Sequence, residues 1–402
     1  MAKRRFELPG IQDLSKEQEK VRALPKEGQH LVVGGPGTGK SVLALIRVRR
    51  HHREEDDYIF LVYNHLLNRS SEQLFGEGSL NSETWIKWFH KEFKKITNKP
   101  TPKLPPDRPD GYQEIDWKEV EKIIEEQPLR NHGEQSKTFL VIDEGQDMPP
   151  EFYTLLIRLG FENLFVVADQ NQQIRKQNSS RQEIQDRLGI ETSDVIELKD
   201  NYRNQIGVAK LAGEFYTADP ASPPPRLPTR GLDTPSQLLY YPRKKLSHLV
   251  KIILQLADRN PEKLIGLITP NNEVRERYLT SLNLLNKSSS LHLDNGPVPI
   301  STYYHTADPS EVSFDKGGII VINAQSCKGL EFDIVMLADI DKHRYSPDNH
   351  NSTKRLFYVM VARAIERVFM FMQQENKSKP INGILPEAQD ILRRMMRRKS
   401  EN

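Results

Sequence analysis

The sequence predicts an α/β fold built from parallel sheets in two halves, and three observations predict it. An apolar run at 31–33 breaks into GGPGTGKS at 34–41 and then resumes with helical character. A second apolar run, 138–142, ends in the adjacent carboxylates Asp143 and Glu144. Beyond a proline-rich connector at 219–231, strand-like runs alternate with helical ones again, without a second glycine-rich loop. Such alternation packs as a parallel sheet with helices on its faces.

The first of these stretches is strand, G-x-x-x-x-G-K-S, helix, the setting a phosphate-binding loop requires. Gly34, Gly37 and Gly39 open backbone conformations closed to other residues, so that successive N–H groups can turn around phosphates. The helix beginning near Lys40 adds the positive end of its dipole. Lys40 is placed to reach the outer phosphates and the Ser41 hydroxyl to ligate Mg²⁺, with the backbone of Gly35, Pro36, Gly37, Thr38 and Gly39 around them. In the second stretch Asp143 is expected to hold the metal through water, and Glu144 to orient and deprotonate an attacking water.

Size and composition fit this reading without adding to it. The chain has 402 residues, enough for two or three domains, and a formal net charge of +3, so a nucleic-acid surface would have to be a local patch. A single cysteine, Cys327, excludes an internal disulfide and suits a reducing compartment. The first ten residues have basic side chains with no apolar run behind them, and no stretch reaches membrane-spanning length. A soluble, cytoplasmic protein is expected, with no membrane partner.

Taken in order, 14–24 reads as a helix with Ser15 and Gln18 as a capping box. Residues 58–63 read as a strand ending in Asn64, and 80–84 as a further strand-like transition ahead of the aromatic run from Trp85 to Phe89. Polar residues at strand ends collect on one rim of an open sheet, where ligands bind. Residues 90–136, with a proline-rich linker and a short helix near 117–126, read as an insertion. Expected strands follow at 164–168, 237–241, 264–269, 318–323, 333–339 and 367–372, with a helix around 355–364. The expected domains are 1–195, 196–376 and a basic tail helix at 377–402. The stretch 47–53 reads as a solvated basic face, and ordinary core packing is one reading of Trp85 and Trp88.

The ordered set Gln18, GGPGTGKS, VIDEGQD, VVADQNQQI, LKDNYRN, QSCKGLEFD and RLFYVMVARA resembles the UvrD/Rep-type superfamily 1 helicases from about residue 10 to 372. The resemblance implies two RecA-like domains with ATP between them and an ATP-hydrolysing motor moving 3′→5′ on single-stranded DNA, RNA being the less expected track. Under it Gln18 selects adenine, Tyr202 stacks on the base and Glu331 contacts the ribose. Gln172 senses the γ-phosphate, and Arg203 and Arg363 approach it from the second domain. Tyr63, Asn64, Thr84, Trp85, Asn323 and Gln325 occupy strand-contacting positions.

Departures from the family pattern concern strand handling. Arg175 stands where an aromatic is usual, Asn323 and Gln325 where a threonine and a histidine are usual, and Ala362 where a threonine is usual. The two large inserted subdomains shrink to about 90–136 and 286–316, the latter expected as a linker or hairpin. A second reading follows: a nucleotide-switched regulatory ATPase that controls a partner such as a nuclease, with little unwinding alone.

Overall fold

Two separate all-parallel sheets form the frame of the chain. The structure, a computed structural model, describes residues 4, 6–106, 113–126, 137–169, 178–217, 223–288, 291–304, 312–376 and 380–396. The first half contains α1 (Lys16–Arg22), β1 (Gln29–Gly34), α2 (Lys40–Arg53), β2 (Tyr58–Val62), α3 (His65–Phe75), β3 (Ser82–Thr84) and α4 (Trp85–Thr97). It continues with α5 (Trp117–Glu125), β4 (Phe139–Ile142), α6 (Pro150–Arg158), β5 (Leu164–Ala168), α7 (Arg181–Leu188) and β6 (Ile196–Leu198). Its strands lie in the order β3-β2-β4-β5-β1-β6.

After α8 (Ile206–Glu214) come β7 (Ser236–Tyr241), α9 (Leu246–Asp258), β8 (Leu264–Thr269), α10 (Asn272–Asn286) and β9 (Ile300–Thr302). Then follow β10 (Gly318–Asn323), β11 (Phe332–Leu337), α11 (His350–Val361), β12 (Ala364–Gln373) and β13 (Leu392–Met396). The second sheet runs β13-β7-β12-β11-β8-β10-β9. With β9 set aside as an added edge strand, this is the first sheet's order repeated: β7 takes the place of β1, β11 of β4, β12 of β5 and β13 of β6. The repeat extends to local geometry. Glu144 after β4 and Asp339 after β11 are both left-handed, with φ of 54° and 43°, and each opens a one-turn 3-10 helix. This is the α/β architecture expected of two RecA-like units.

Period-two alternation builds the cores. Leu31, Leu140 and Leu164 face one cluster with α4 and α6, while their neighbours Val32, Val141 and Phe165 face another with α2. In the second half Leu264, Ile320 and Val335 pack with α8 and α11, and Ile265, Ile319 and Ile334 with α9 and α10. Both sheets are therefore buried on both faces, which is why the strand sequences read as apolar runs.

Four expectations need correction. Ile196–Leu198 pairs with β1 in the first sheet instead of opening the second half at 196. The tail is a strand, not a helix, over 392–396. The basic amphipathic stretch behind that expectation, 390–399, is too short to hold a helix unaided, whereas the open edge of β7 offers a full row of parallel hydrogen bonds and a core site for Leu392. The stretch expected as a linker or hairpin at 286–316 contributes Ile300–Thr302 as an edge strand paired in parallel with β10. The basic stretch 47–53 is not a solvated face throughout: Arg47 is buried, donates to the carbonyls of Pro25 and Lys26 and lies over the Phe165 ring. Burial pushes its pKa down to about 10. Among the described residues, no helix is long and apolar enough to cross a membrane.

Candidate nucleotide site

β1 ends at the glycine-rich loop, which turns through left-handed Gly37 (φ 78°) and Gly39 (φ 92°) before α2 begins at Lys40. Neither glycine tolerates a Cβ. At Gly37 one would sit 2.2 Å from Asn201 Oδ1, and at Gly39 2.5 Å from Gln18 Nε2. Lys40 is folded onto the loop, Nζ donating to Gly35 O at 2.9 Å and lying 3.7 Å from Asp169 Oδ2. The Thr38 hydroxyl also donates to Gly35 O, at 2.9 Å. Gln18 is the capping-box partner its position suggested, and its amide nitrogen is turned onto the phosphate loop. Its Oε1 accepts from Ser15 N in a capping box, and its Nε2 donates to Thr38 O at 3.0 Å. Contact with a base requires release of that last bond.

The acidic rim comes from the end of β4. Asp143 Oδ1 accepts from the Glu144 amide at 2.9 Å, while Oδ2 is buried with no hydrogen-bond partner among the described residues. Burial, with the Glu144 charge acting the same way, pushes the Asp143 carboxyl up to about 7, against the Ser41 hydroxyl and Lys40. Glu144 lies below the ordinary range: burial opposes its charge, but Lys328, Arg363, Lys40 and the Gln146 amide outweigh it. An orphaned buried carboxylate oxygen beside a serine hydroxyl suits a hard divalent cation, which takes oxygen donors. Two adjacent carboxylates pushed in opposite directions also mark a site built for chemistry.

The second half faces this rim. Arg203 Nη1 donates to Glu331 Oε1 at 2.6 Å and Nη2 to Ala362 O at 2.7 Å. Arg363 is buried, with Nε on Val359 O at 3.1 Å. Burial works against the Glu331 charge, yet Arg203 beside it, with Arg4 and Arg363, holds it below the usual carboxylate range. A cavity of about 310 Å³ is lined by Gln18, Gly37, Gly39, Lys40, Ser41 and Glu144 from one side and by Tyr202, Arg203, Glu331 and Arg363 from the other. A somewhat larger one of about 370 Å³ lies behind Pro224 and Pro225, but it has neither the phosphate loop's amide face nor the paired carboxylates. Gln172 and Arg175 lie outside the described residues.

The strand-contact candidates divide. Tyr63 is half-buried, with Lys328 Nζ 5.9 Å from its ring centroid. Asn64 caps α3, Oδ1 accepting from Leu67 N at 2.8 Å, and its Nδ2 reaches Lys328 O at 3.5 Å. Thr84 is buried at the N-cap of α4. Asn323 is half-buried at the end of β10 and bonds to Asn272, and Gln325 is exposed. Trp85 belongs to the core: its ring is stacked on Trp117 and meets Phe152 edge-on, leaving it 9% exposed. Those neighbours come from α5 and α6, so the covering of its faces is a tertiary fact.

Sequence reasoning left out four residues that complete the site. Gln146 bridges Glu144 and the end of β5, Nε2 to Glu144 Oε2 at 2.5 Å and Oε1 from Asp169 N at 2.9 Å. Asp147 pairs with Lys328 across the two halves at 2.7 Å. Asn204 is buried against Ala362 O. For Gln146, Asp147 and Lys328 the signal lay inside the quoted motifs, on the same rim as the residues that were singled out. Asn204 likewise closes the LKDNYRN motif, next to Arg203.

Comparison with known proteins agrees with this arrangement. Residues 17–178 match the AAA domain family, and residues 318–371 match the UvrD-like helicase C-terminal domain. No curated protein matches the chain. Among solved structures, the C-terminal domain of a possible DNA helicase from Lactobacillus plantarum aligns at 15% identity, covering 48% of this chain and 97% of that one, with a TM-score of 0.34. One family match holds the phosphate loop and the acidic rim, and the other holds Glu331 and Arg363 of the facing half. Together the two family matches support a UvrD-like helicase.

Proposed function

We propose that the protein hydrolyses ATP to ADP and phosphate with Mg²⁺ and uses the cycle to move 3′→5′ on single-stranded DNA. The observation that carries this reading is the shared cavity, in which Lys40, Ser41 and Glu144 face Arg203 and Arg363 across the two halves. In this reading Lys40 and the loop amides hold the phosphates, and Ser41 and Asp143 hold the cation. The bound cation supplies positive charge on the outer phosphates. Glu144, kept ionised by the surrounding cations, accepts the proton of the attacking water. The two guanidiniums take up charge developing on the transferred phosphoryl group. Tyr202, 54% exposed, is free to pack on a base. Because the arginines come from the other half, closure of the cleft follows the nucleotide, and its relaxation follows hydrolysis.

The covered ring of Trp85 favours a second reading in which nucleotide-driven closure switches a partner such as a nuclease, with little unwinding by this chain alone. Steady-state ATP hydrolysis without nucleic acid, with single-stranded DNA and with matching RNA separates the two. Strong stimulation by DNA supports the motor. Hydrolysis indifferent to both strands rules out the motor and leaves the switch.

A further inference from the structure

We infer that Asn204 is the positioning residue for Arg363, and that it ties the placement of that guanidinium to the phosphate loop. The inference rests on the ATP-hydrolysing reading above and names how its two halves are held in register.

The segment after β6 runs directly over the phosphate loop. Tyr202 N donates to Gly37 O at 2.8 Å, and Asn201 Oδ1 accepts the amides of Arg203 and Asn204, each at 3.1 Å. Both asparagines press on Gly37, since a Cβ there would sit 2.2 Å from Asn201 Oδ1 and 2.8 Å from Asn204 Oδ1. Asn201 Nδ2 then donates to Asn204 Oδ1 at 2.8 Å. From Asn204, 5% exposed, Nδ2 donates to Ala362 O at 3.2 Å and to Ala364 O. Those carbonyls belong to the residues on either side of Arg363. A movement at Gly37 is thus passed to the Arg363 backbone through two side-chain amides.

The chemistry of the position selects asparagine. One end must accept from Asn201 while the other donates to two carbonyls, and only a side-chain amide does both at this reach. A carboxylate of the same shape would set an anionic oxygen against two carbonyl oxygens. The Arg363 side chain has its Nε on Val359 O at 3.1 Å and its Nη1 on Leu330 O at 3.5 Å, both within its own half. Glu144 of the facing half also bears on it as a charge, and where its backbone is held fixes the point from which the guanidinium reaches the phosphates. Misplacing a catalytic group by about 1 Å is enough to cost about a hundredfold in rate.

The test is a double-mutant cycle on ATP turnover, with Asn204→Ala, Arg363→Ala and the pair, read together with ADP and ADP–aluminium fluoride affinities and thermal unfolding. Asn204→Ala is expected to lower kcat by about ten- to a hundredfold with KM changed by less than about twofold. It should weaken the ADP–aluminium fluoride complex without weakening ADP, and add no further loss to Arg363→Ala. Additive losses, or a loss confined to KM, overturn the inference. If Asn204→Ala does not fold, Asn204→Ser, which keeps a small polar side chain at the position, carries the same cycle with the same criteria. Unchanged turnover in Arg363→Ala would instead overturn the hydrolytic reading, so the two failures are distinguishable.

Discussion

Lys328 and Asp147 form a buried ion pair, Nζ to Oδ1 2.7 Å, with side chains only 3% and 2% exposed, and it joins the two halves beside the acidic rim. Asp147 Oδ1 also accepts from Asn178 Nδ2 at 2.9 Å. Lys328 leads the charges that favour ionised Glu144. One ammonium therefore both fastens the halves and conditions the carboxylate expected to take a proton.

Removing one partner of this pair leaves the other charge buried without its counter-ion, which costs about 3–5 kcal/mol. Lys328→Met and Asp147→Leu should each lower the urea midpoint strongly, and Lys328→Met/Asp147→Leu should recover much of the loss. Lys328→Met should also raise the Glu144 pKa, moving the acidic limb of the turnover profile to higher pH. Losses that simply add in the double variant would show that the two residues are not coupled.

Asp143 gives the ion-free protein a pH dependence of defined sign. Its folded pKa is raised to about 7, by burial first and the Glu144 charge second, above the roughly 4 of an unfolded aspartate. The stability from its neutral form is complete below that lower value and is lost as pH rises towards 7. A divalent cation binds the ionised form, so Mg²⁺ affinity should rise across the same interval. Asp143→Asn should flatten the melting profile between about pH 4 and 7, raise the ion-free melting temperature at neutral pH and abolish Mg²⁺-dependent hydrolysis. Profiles for wild type and Asp143→Asn that run parallel would contradict the assignment.

Local chemistry made the nucleotide site readable from sequence. A glycine-rich turn between strand and helix, and two carboxylates at a strand end, need only their neighbours in the chain to declare themselves. What stayed hidden depends on partners far away in sequence. The 392–396 strand needs the free edge of β7, 151 residues or more earlier, to outcompete its own helical pattern. Arg47 reads as a surface charge until the carbonyls of 24–26 and the Phe165 ring are seen to enclose it. Asn204 closes the LKDNYRN motif, but the carbonyls it joins to the phosphate loop are brought to it only by folding.

The arginines should separate binding from chemistry. Arg363→Ala is expected to lower turnover by about a hundredfold or more while sparing ATP binding, as loss of an arginine finger does. Lys40→Ala should abolish hydrolysis by removing the main cation on the phosphates. Arg203→Ala also frees Glu331 from its 2.6 Å partner, so it should weaken nucleotide binding as well as turnover. Nucleotide titrations beside steady-state kinetics distinguish these patterns, and Arg363→Ala with weakened ATP binding but normal turnover would reverse the roles.

Trp85 offers a choice between core and strand contact. Its ring centroid lies 6.4 Å from that of Trp117 at an interplanar angle of 17°, and 5.3 Å from that of Phe152. Phe152 also contacts Trp88 and Phe89. Truncating a large aromatic in such a cluster costs about 3–5 kcal/mol, so Trp85→Ala should lower the urea midpoint sharply while Trp85→Phe lowers it little. If the ring is core alone, the folded fraction of Trp85→Ala should bind single-stranded DNA with wild-type affinity. A large loss of strand affinity in Trp85→Phe, with stability intact, would mean that the cluster opens on binding and that the indole leaves Trp117 to stack on a base. The covering of Trp85 would then itself be one of the two states of the motor.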